Sequence, residues 1–502
     1  MANTSRRSFL SASVIGFGTA ALAQTTGCVA ESAAGASSRT GTYRLTRDLP
    51  VESGYDLVVA GGGPAGTAAA VCAARLGAKV LLVEATGCLG GMGTSGLVTA
   101  FDPMANGERM LVGGLMREIV TAMHARGFLA PQVTEAYYAK RYNCWTPFRV
   151  EGYKLLLDEL AAAARVEVRF FTRVVEADAD GRTLNGVVLQ NVEGLRFVRA
   201  KTFVDATGDA SLATLCGAPC REAGRDTPNI MPPTLCAQLA HIDWSRACKA
   251  NQQALIEKAL ADKFFSTRDR HVPGLFQTGE TAGMLNAGHV FHMNAVKCRS
   301  LSEGIARGRR LVQEYVAFYR KYVPGCEDAE LLSTGSLMGV RESRRVVGEY
   351  ELNYADYISQ RPFPDQIAVY NSPVDIHVYD DSDAEYKRYH EEYTKVGRLK
   401  SGESFGLPYG ILVPKGWKNL WVAGRCNSSD VRVHGAIRVQ PACSMMGQAA
   451  GTAAAQSVAT GQPACDLDTA ALVETLRRAG AYLPQPTLSR TMTRVNGVPP
   501  QS

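Results

Sequence analysis

Gly61-Gly62-Gly63-Pro64-Ala65-Gly66 and the acid Glu84 make the plainest chemical statement in this chain. Glycines so spaced serve a pyrophosphate. Gly61 makes the tight turn, Gly63 lets backbone approach the phosphates, and Gly66 lets a helix pack close to a strand. With Pro64 and Ala65 the turn opens a helix whose N-terminus offers N–H groups and partial positive charge to phosphate oxygens. Glu84, about twenty residues on, suits a ribose 2′-hydroxyl and disfavours the 2′-phosphate of NADP. The expected ligand is a dinucleotide.

A second group of residues suits proton transfer and anion binding. His434 and Arg438 stand four apart, and a histidine titrates near neutral pH. His292 and Asn294 alternate on one face of an expected strand, with His289 on the other; His292 is the second candidate for a proton-transfer group. Arg341 and Arg344 share a face if their segment is helical. They suit a substrate carboxylate, or alternatively an ion pair with Glu342 or Glu349. Cys443 follows Pro441-Ala442 at an expected helix start, where a thiolate is favoured; a packing role is the alternative. His289-x-x-His292 lacks a third ligand at metal spacing, and no metal site is expected.

The elements that must position these residues follow the hydrophobic pattern. Asp56 to Ala60 and Lys79 to Val83 read as buried parallel strands flanking an Ala-rich helix that Gly77 stops. A loop with five glycines, Gly87 to Gly96, comes next. Helices are expected at Glu108 to Arg126 and Val150 to Ala164. A meander follows, at Val166 to Ala177, Leu184 to Gln190 and Leu195 to Arg199. Thr202 to Asp205 is a further strand. From about Gly217 the texture changes to alternating segments (Leu235 to Ile242, His289 to Val296) and an amphipathic helix, Leu301 to Tyr322. Asn419 to Arg425 reads as strand and turn, and Cys443 to Thr460 as a helix. The expected organisation is a discontinuous nucleotide domain, 51–216 and 406–465, with a substrate-binding domain inserted at 217–405. Residues 466–502 form a C-terminal segment.

Of 502 residues, 46% are hydrophobic and 20% charged, with a net charge of +6, the profile of a globular chain. No basic run with interleaved aromatics suggests nucleic acid. The N-terminus, with Arg6-Arg7, an apolar run from Val14 and Ala21-Leu22-Ala23, reads as a twin-arginine export signal over 1–23. A disordered basic tail is the alternative. A flexible tether over 24–50 and a periplasmic or cell-envelope location follow. Lipidation at Cys28 is a weaker option, since Thr25 stands where lipoproteins place Leu. The thirteen cysteines are scattered and show no zinc spacing.

In order along the chain stand GGGPAG from Gly61, LGGMGTSGLV from Leu89, VDATGD from Val204, HMN from His292 and GVRESRRVVGEY from Gly339. PVDIH from Pro373, AGR from Ala423 and HGAIRVQPACSMMGQAAGTAAA from His434 complete the series. This set resembles the FAD-dependent oxidoreductases with a glutathione-reductase-type fold, in the subfamily carrying LGG-x-x-T and GQAAGTAAA. The resemblance implies an α/β Rossmann FAD domain with a β-meander, an inserted α+β substrate domain, and FAD as cofactor. It implies that Gly61, Gly63 and Gly66 hold the pyrophosphate and Glu84 the adenosine ribose. Gly90, Gly91, Met92 and Thr94 would line the flavin, and the backbone of Val174 would meet the adenine. Ala206, Thr207 and Gly208 would close over the diphosphate, beside Gly424 and Arg425. Ala442, Cys443, Ser444 and Met445 would aim a helix N-terminus at the flavin pyrimidine. In related flavoproteins an acid often holds the ribityl chain where Arg425 stands, so no ribityl carboxylate is assigned. The implied activity is hydride transfer between flavin and a polar, hydroxyl-bearing molecule such as a sugar or hydroxy acid. Reduction of an activated C=C bond and non-catalytic flavin binding are the alternatives. With no second glycine turn for a nicotinamide cofactor, a quinone, a cytochrome or oxygen is the expected electron partner.

Overall fold

The computed structural model describes residues 41–270, 274–394 and 398–484. The arginine pair, the export leader and Cys28 lie outside the described residues. Residues 41–48 carry no helix or strand, and the described residues from Leu49 onward form one compact unit.

The glycine turn sits between β1 (Val51–Ala60) and α1 (Pro64–Arg75), which leads to β2 (Val80–Val83). Gly77, at φ +92°, ends the helical path in the left-handed region. β1 and β2 pair in parallel, Leu57 opposite Val80 through Ala60 opposite Val83. β1 starts five residues earlier than its apolar run, because its register shifts between Glu52 and Tyr55 around Gly54 at φ +97°.

Next come α2 (Gly114–Ala125) and α3 (Val150–Ala163). The helix expected from Glu108 begins only at Gly114. Upstream, the Asn106 side-chain oxygen accepts the N–H groups of Glu108 at 3.1 Å and Arg109 at 3.0 Å, a local alternative to helix.

The expected meander is corrected in two places. Val166 to Ala177 divides at Phe171 (φ +51°) into β3 (Glu167–Arg169), parallel to β2, and β4 (Arg173–Asp180), antiparallel to β5 (Thr183–Asn191). Conversely, Leu195 to Arg199 and Thr202 to Asp205 are one strand, β6 (Gly194–Asp205). Its first half pairs antiparallel with β5, and along its length it runs parallel to β1, up to Ala60 opposite Asp205.

A four-stranded antiparallel sheet follows, formed by β7 (Ala237–Ala240), β8 (Gly274–Gln277), β9 (Gly283–Asn286) and β10 (Glu330–Thr334) in the order β8-β9-β7-β10. α4 (Cys298–Tyr322) shares its core through Val312, Tyr315, Val316 and Tyr319, the one-face spacing of an amphipathic helix. The chain then returns as β11 (Leu420–Val422), parallel to β6, and completes a seven-stranded sheet, β3-β2-β1-β6-β5-β4 with β11 also on β6. The fold is mixed α/β with a parallel-strand core, as an FAD-binding Rossmann-like unit requires.

Two helices close the site, α5 (Val431–Ile437) and α6 (Gln440–Thr460). α6 is buried continuously from Gln440 to Ala455 and packs on α1 at Gly447 and Gly451. A Cβ at either glycine would lie 2.0 Å from the carbonyl oxygen of Ala65 or Ala69. Small residues therefore let two helices that start at the same place run side by side.

Candidate active site

The glycine turn is built as its spacing requires. Gly61, at φ +96°, donates its N–H to Val83 O at 2.8 Å, and a Cβ there would meet Ala206 O at 2.6 Å. At Gly66 a Cβ would fall 1.7 Å from Gly61 O. Gly63 differs: a Cβ would meet nothing within 4 Å, so the turn holds open space on that side. Glu84 is buried and accepts the N–H groups of Gly62 and Thr86, both at 2.7 Å, one at each carboxylate oxygen. Each oxygen keeps capacity for a further donor.

The other glycine-rich segments converge on this turn. Gly90 N donates to Gly62 O at 2.8 Å, and a Cβ at Gly91 would lie 2.9 Å from the Cα of Gly63. Thr94 is buried and donates to Leu89 O at 2.6 Å, closing its own loop; Met92, half-buried, accepts Val98 N–H at its carbonyl. The turn Ala206-Thr207-Gly208 is held by buried Asp205, which accepts Thr207 N and Oγ1 at 3.0 and 2.7 Å and Ala213 N at 2.9 Å. A Cβ at Gly424 would reach Ala65 Cβ at 3.0 Å and Cys443 Sγ at 3.7 Å. The start of α1, the turn after β11 and the start of α6 thus meet. Neither helix has a side-chain cap at its N-terminus, and Ser444 Oγ is buried without a partner among the described residues. Val174 lies on β4 opposite Leu189, packed against the core that includes Leu184 and Val187, two residues beyond Thr172, whose N–H bonds Glu84 O at 2.9 Å.

Arg425 pairs with Asp209 at 2.7 Å and donates to Ser343 Oγ at 2.8 Å. The arginine that stands in the acid's place is thus ion-paired to the ATGD turn. Gln440, the first residue of α6, donates to Val98 O at 2.8 Å and Ala100 O at 3.1 Å. This ties the segment leading to Asp102 to the end of α6.

A polar cluster lies beside that end. Arg438 donates to Asp375 Oδ2 at 2.6 Å. Burial works against the Asp375 charge, but His377 and Arg438 together hold its carboxyl well below the ordinary range. Asp102, half-buried, feels both the carboxylate of Asp375 and the cation of Arg438. Burial, then the Asp375 charge, push its carboxyl up to about 7. Arg341 is buried and donates to Pro232 O at 2.7 Å and Thr234 Oγ1 at 3.0 Å; burial and Arg438 bring it down to about 10. His434 is fully buried, with Nε2 3.2 Å from Arg341 O and Nδ1 without a partner among the described residues. Burial and the charges of Arg345, Arg438 and Arg425 hold it well below its usual value. It is a neutral acceptor at physiological pH.

The region matching the family profile described as FAD dependent oxidoreductase spans residues 56–476. This chain belongs to the FAD-dependent oxidoreductase family. Its cofactor is FAD. Among solved structures it is similar to a geranylgeranyl bacteriochlorophyll reductase-like protein from Thermoplasma acidophilum, with 14% identity, TM-score 0.42, and coverage of 85% of this chain and 83% of that one. A flavin-dependent brominase gives 15% identity, TM-score 0.42, and coverage of 85% and 83%. The myxobacterial chondrochloren halogenase gives 16%, 0.41, and 86% and 79%.

The residues of this FAD-dependent oxidoreductase fit their cofactor. The space at Gly63, the uncapped starts of α1 and α6, and the unpartnered Ser444 hydroxyl supply a phosphate approach and donors for an anionic ring. When bound, FAD supplies hydride acceptance and donation at N5.

Three sequence expectations about the polar residues are corrected. His289 to Val296 is not a strand: His289 makes a single bridge to Thr234, and His292 is exposed in a turn at φ +57°. The cause is Asn294, whose side chain accepts Val296 N–H at 3.0 Å and closes a local turn. Asn294 and His292 therefore share no strand face. Arg341 and Arg344 do not share a helix face either. Arg344 starts a short strand, Arg344–Val346, paired with Cys220–Glu222, and it bonds Glu222 at 3.2 Å. Cys443 is no thiolate: burial pushes its thiol up to about 12, and Sγ donates to Arg438 O at 3.2 Å. Asp102, Asp209 and Asp375 carried no signal of their own in sequence, although VDATGD and PVDIH contain the last two.

Proposed function

We propose that this FAD-dependent oxidoreductase moves a hydride between flavin and a polar, hydroxyl-bearing small molecule such as a sugar or hydroxy acid, with Asp102 exchanging the hydroxyl proton. The observation that carries this reading is the Asp102 carboxyl, poised near neutrality within electrostatic reach of the Asp375–Arg438 pair beside the start of α6. In oxidation the substrate C–H electron pair leaves with its hydrogen as hydride, and the O–H proton goes to Asp102. A base is most effective when its pKa lies near the working pH. His434 suits a different task, since a neutral acceptor with a buried lone pair holds a ligand donor without taking its proton. Arg438 faces an anionic or hydroxyl-rich substrate.

The same carboxyl is half protonated near pH 7, so it equally supplies a proton to an activated C=C bond in the reverse direction. Anaerobic mixing with sugars, polyols and hydroxy acids, followed by loss of flavin absorbance, tests the first direction. Reoxidation of the reduced enzyme by activated alkenes tests the second. Bleaching by at least one hydroxylated compound is expected; reoxidation by alkenes alone would reverse the assignment, and neither response would leave a flavin-binding protein.

Export belongs to the same proposal, with a quinone, a cytochrome or oxygen as electron partner outside the cytoplasm. Replacing Arg6 and Arg7 by Lys is expected to retain folded, yellow protein in the cytoplasm, because the pair acts as an address. Cell fractionation reads this directly, and unchanged export would remove the leader from the account.

A further inference from the structure

Gln440 opens α6 with an amide whose two ends meet different surroundings. Its Nε2 donates to Val98 O at 2.8 Å and to Ala100 O at 3.1 Å, whereas Oε1 is buried with no partner among the described residues. The residue as a whole is 5% exposed. Its partners fix the orientation of the amide. Two carbonyl oxygens can only accept, so the nitrogen must face them and the oxygen must face away. Oε1 then stands against the glycine-rich loop, where a Cβ at Gly93 would lie 2.3 Å from it. Only glycine at that position leaves room for this oxygen.

A buried acceptor held in place without a hydrogen is unfavourable, and such atoms nearly always find a donor. The surroundings point to a ligand as its source. Gly93 lies two residues from Gly91, whose added Cβ would be 2.9 Å from the Cα of Gly63, so one loop joins the phosphate turn to Gln440. The other groups at the head of α6 are donors. Its first helical bond runs from Cys443 N to Val439 O at 2.9 Å. The N–H groups ahead of that bond, on Gln440 and Ala442, have no partner within the helix, and Pro441 has none to offer. Ser444 adds a buried hydroxyl with no partner among the described residues. The head of α6 thus offers several donors and one acceptor.

The flavin ring carries the converse pattern along one edge. Its pyrimidine presents C2=O, N3–H and C4=O in succession, two acceptors flanking one donor. N3 keeps its hydrogen in oxidised and reduced flavin, so a group that accepts it is a permanent anchor and moves no proton. Ribityl hydroxyls also donate, but they rotate and both donate and accept. N3–H is fixed in the plane of the ring and needs an acceptor there. We propose that Gln440 is a cofactor-binding residue whose Oε1 accepts the N3–H hydrogen of FAD. Its Nε2 ties that contact to Val98 and Ala100, two residues short of Asp102. The contact depends on FAD alone, and the direction of hydride transfer does not enter.

The test changes the cofactor before it changes the chain. Full-length protein is stripped of flavin and reloaded with FAD or with FAD methylated at N3, which has no hydrogen to give. The wild type should bind the methylated form about tenfold more weakly or worse, the usual effect of leaving a buried acceptor unpaired. Gln440→Ala removes the acceptor and opens the space a methyl needs, so the two forms should bind it within about threefold of each other. Equal affinity in the wild type overturns the proposal. A preference that survives in Gln440→Ala does so too, since another group then meets N3. Should Gln440→Ala fail to fold, Gln440→Met keeps the length, lacks the acceptor and takes its place. The second reading comes from protein loaded with ¹⁵N-labelled FAD. The N3–H proton of the wild type should resonate downfield of its position in Gln440→Met, and an unmoved resonance overturns the contact.

Discussion

Gly63→Val protein should fold and carry no FAD. Gly63 has φ −65° and ψ −175°, an extended conformation open to any residue, and an added Cβ meets nothing within 4 Å. The chain itself gives no reason to refuse the side chain. The volume it would occupy is the side of the turn where a pyrophosphate must approach backbone. Gly66→Val is the contrasting variant. Its Cβ would lie 1.7 Å from Gly61 O and 3.0 Å from Ala206 Cβ, so the turn itself must break and soluble protein should be lost. Flavin released by acid, per mole of chain, and thermal melts followed by circular dichroism separate the two outcomes. A Gly63→Val protein with full FAD content would show that the phosphates lie elsewhere.

Asp102→Asn should retain FAD and lower the rate of flavin reduction on the order of a hundredfold or more, the usual contribution of a proton-transfer group. In the wild type the rate should rise with pH and level off above about 7, since the carboxylate is the base. The Asn variant should lack that step. Stability carries a second signature. The folded chain keeps the Asp102 proton up to about 7, whereas an unfolded chain loses it near ~4. Between those values the native state binds more protons, so this residue makes stability fall as pH rises. Urea midpoints from pH 5 to 8 should show that slope reduced in Asp102→Asn. A variant with the wild-type rate profile would move the proton-transfer role away from Asp102.

The dinucleotide half of the site was legible in sequence because its chemistry is local. Gly61, Gly63, Gly66 and Glu84 act through backbone geometry within one strand-turn-helix-strand unit, and spacing encodes such a unit directly. The buried helix at the end was legible too, from its small and apolar residues, although its Gly447 and Gly451 acquire meaning only against Ala65 and Ala69.

Strand limits were less legible. β6 contains a half-buried segment and a fully buried one, and each has its own hydrophobic pattern. Only the neighbours β5, β1 and β11 show that they are one strand. Local side-chain hydrogen bonds decided other cases. Asn106 delayed α2 and Asn294 abolished a strand, because an amide side chain offers backbone N–H groups a partner that periodicity does not register.

The proton-handling residues were set by the tertiary structure alone. Asp102, Asp375 and Arg438 are far apart in sequence. The pKa of a carboxyl depends on burial and on the charges that folding brings beside it. By type and spacing His434 was the natural base; enclosure and three arginines made it a neutral acceptor. By type Asp102 was an ordinary acid; burial and then a second carboxylate brought it near neutrality. Sequence thus determined which cofactor this chain holds, since backbone and glycine suffice for a phosphate. The fold decided which side chains can move a proton, since that depends on the field each one meets.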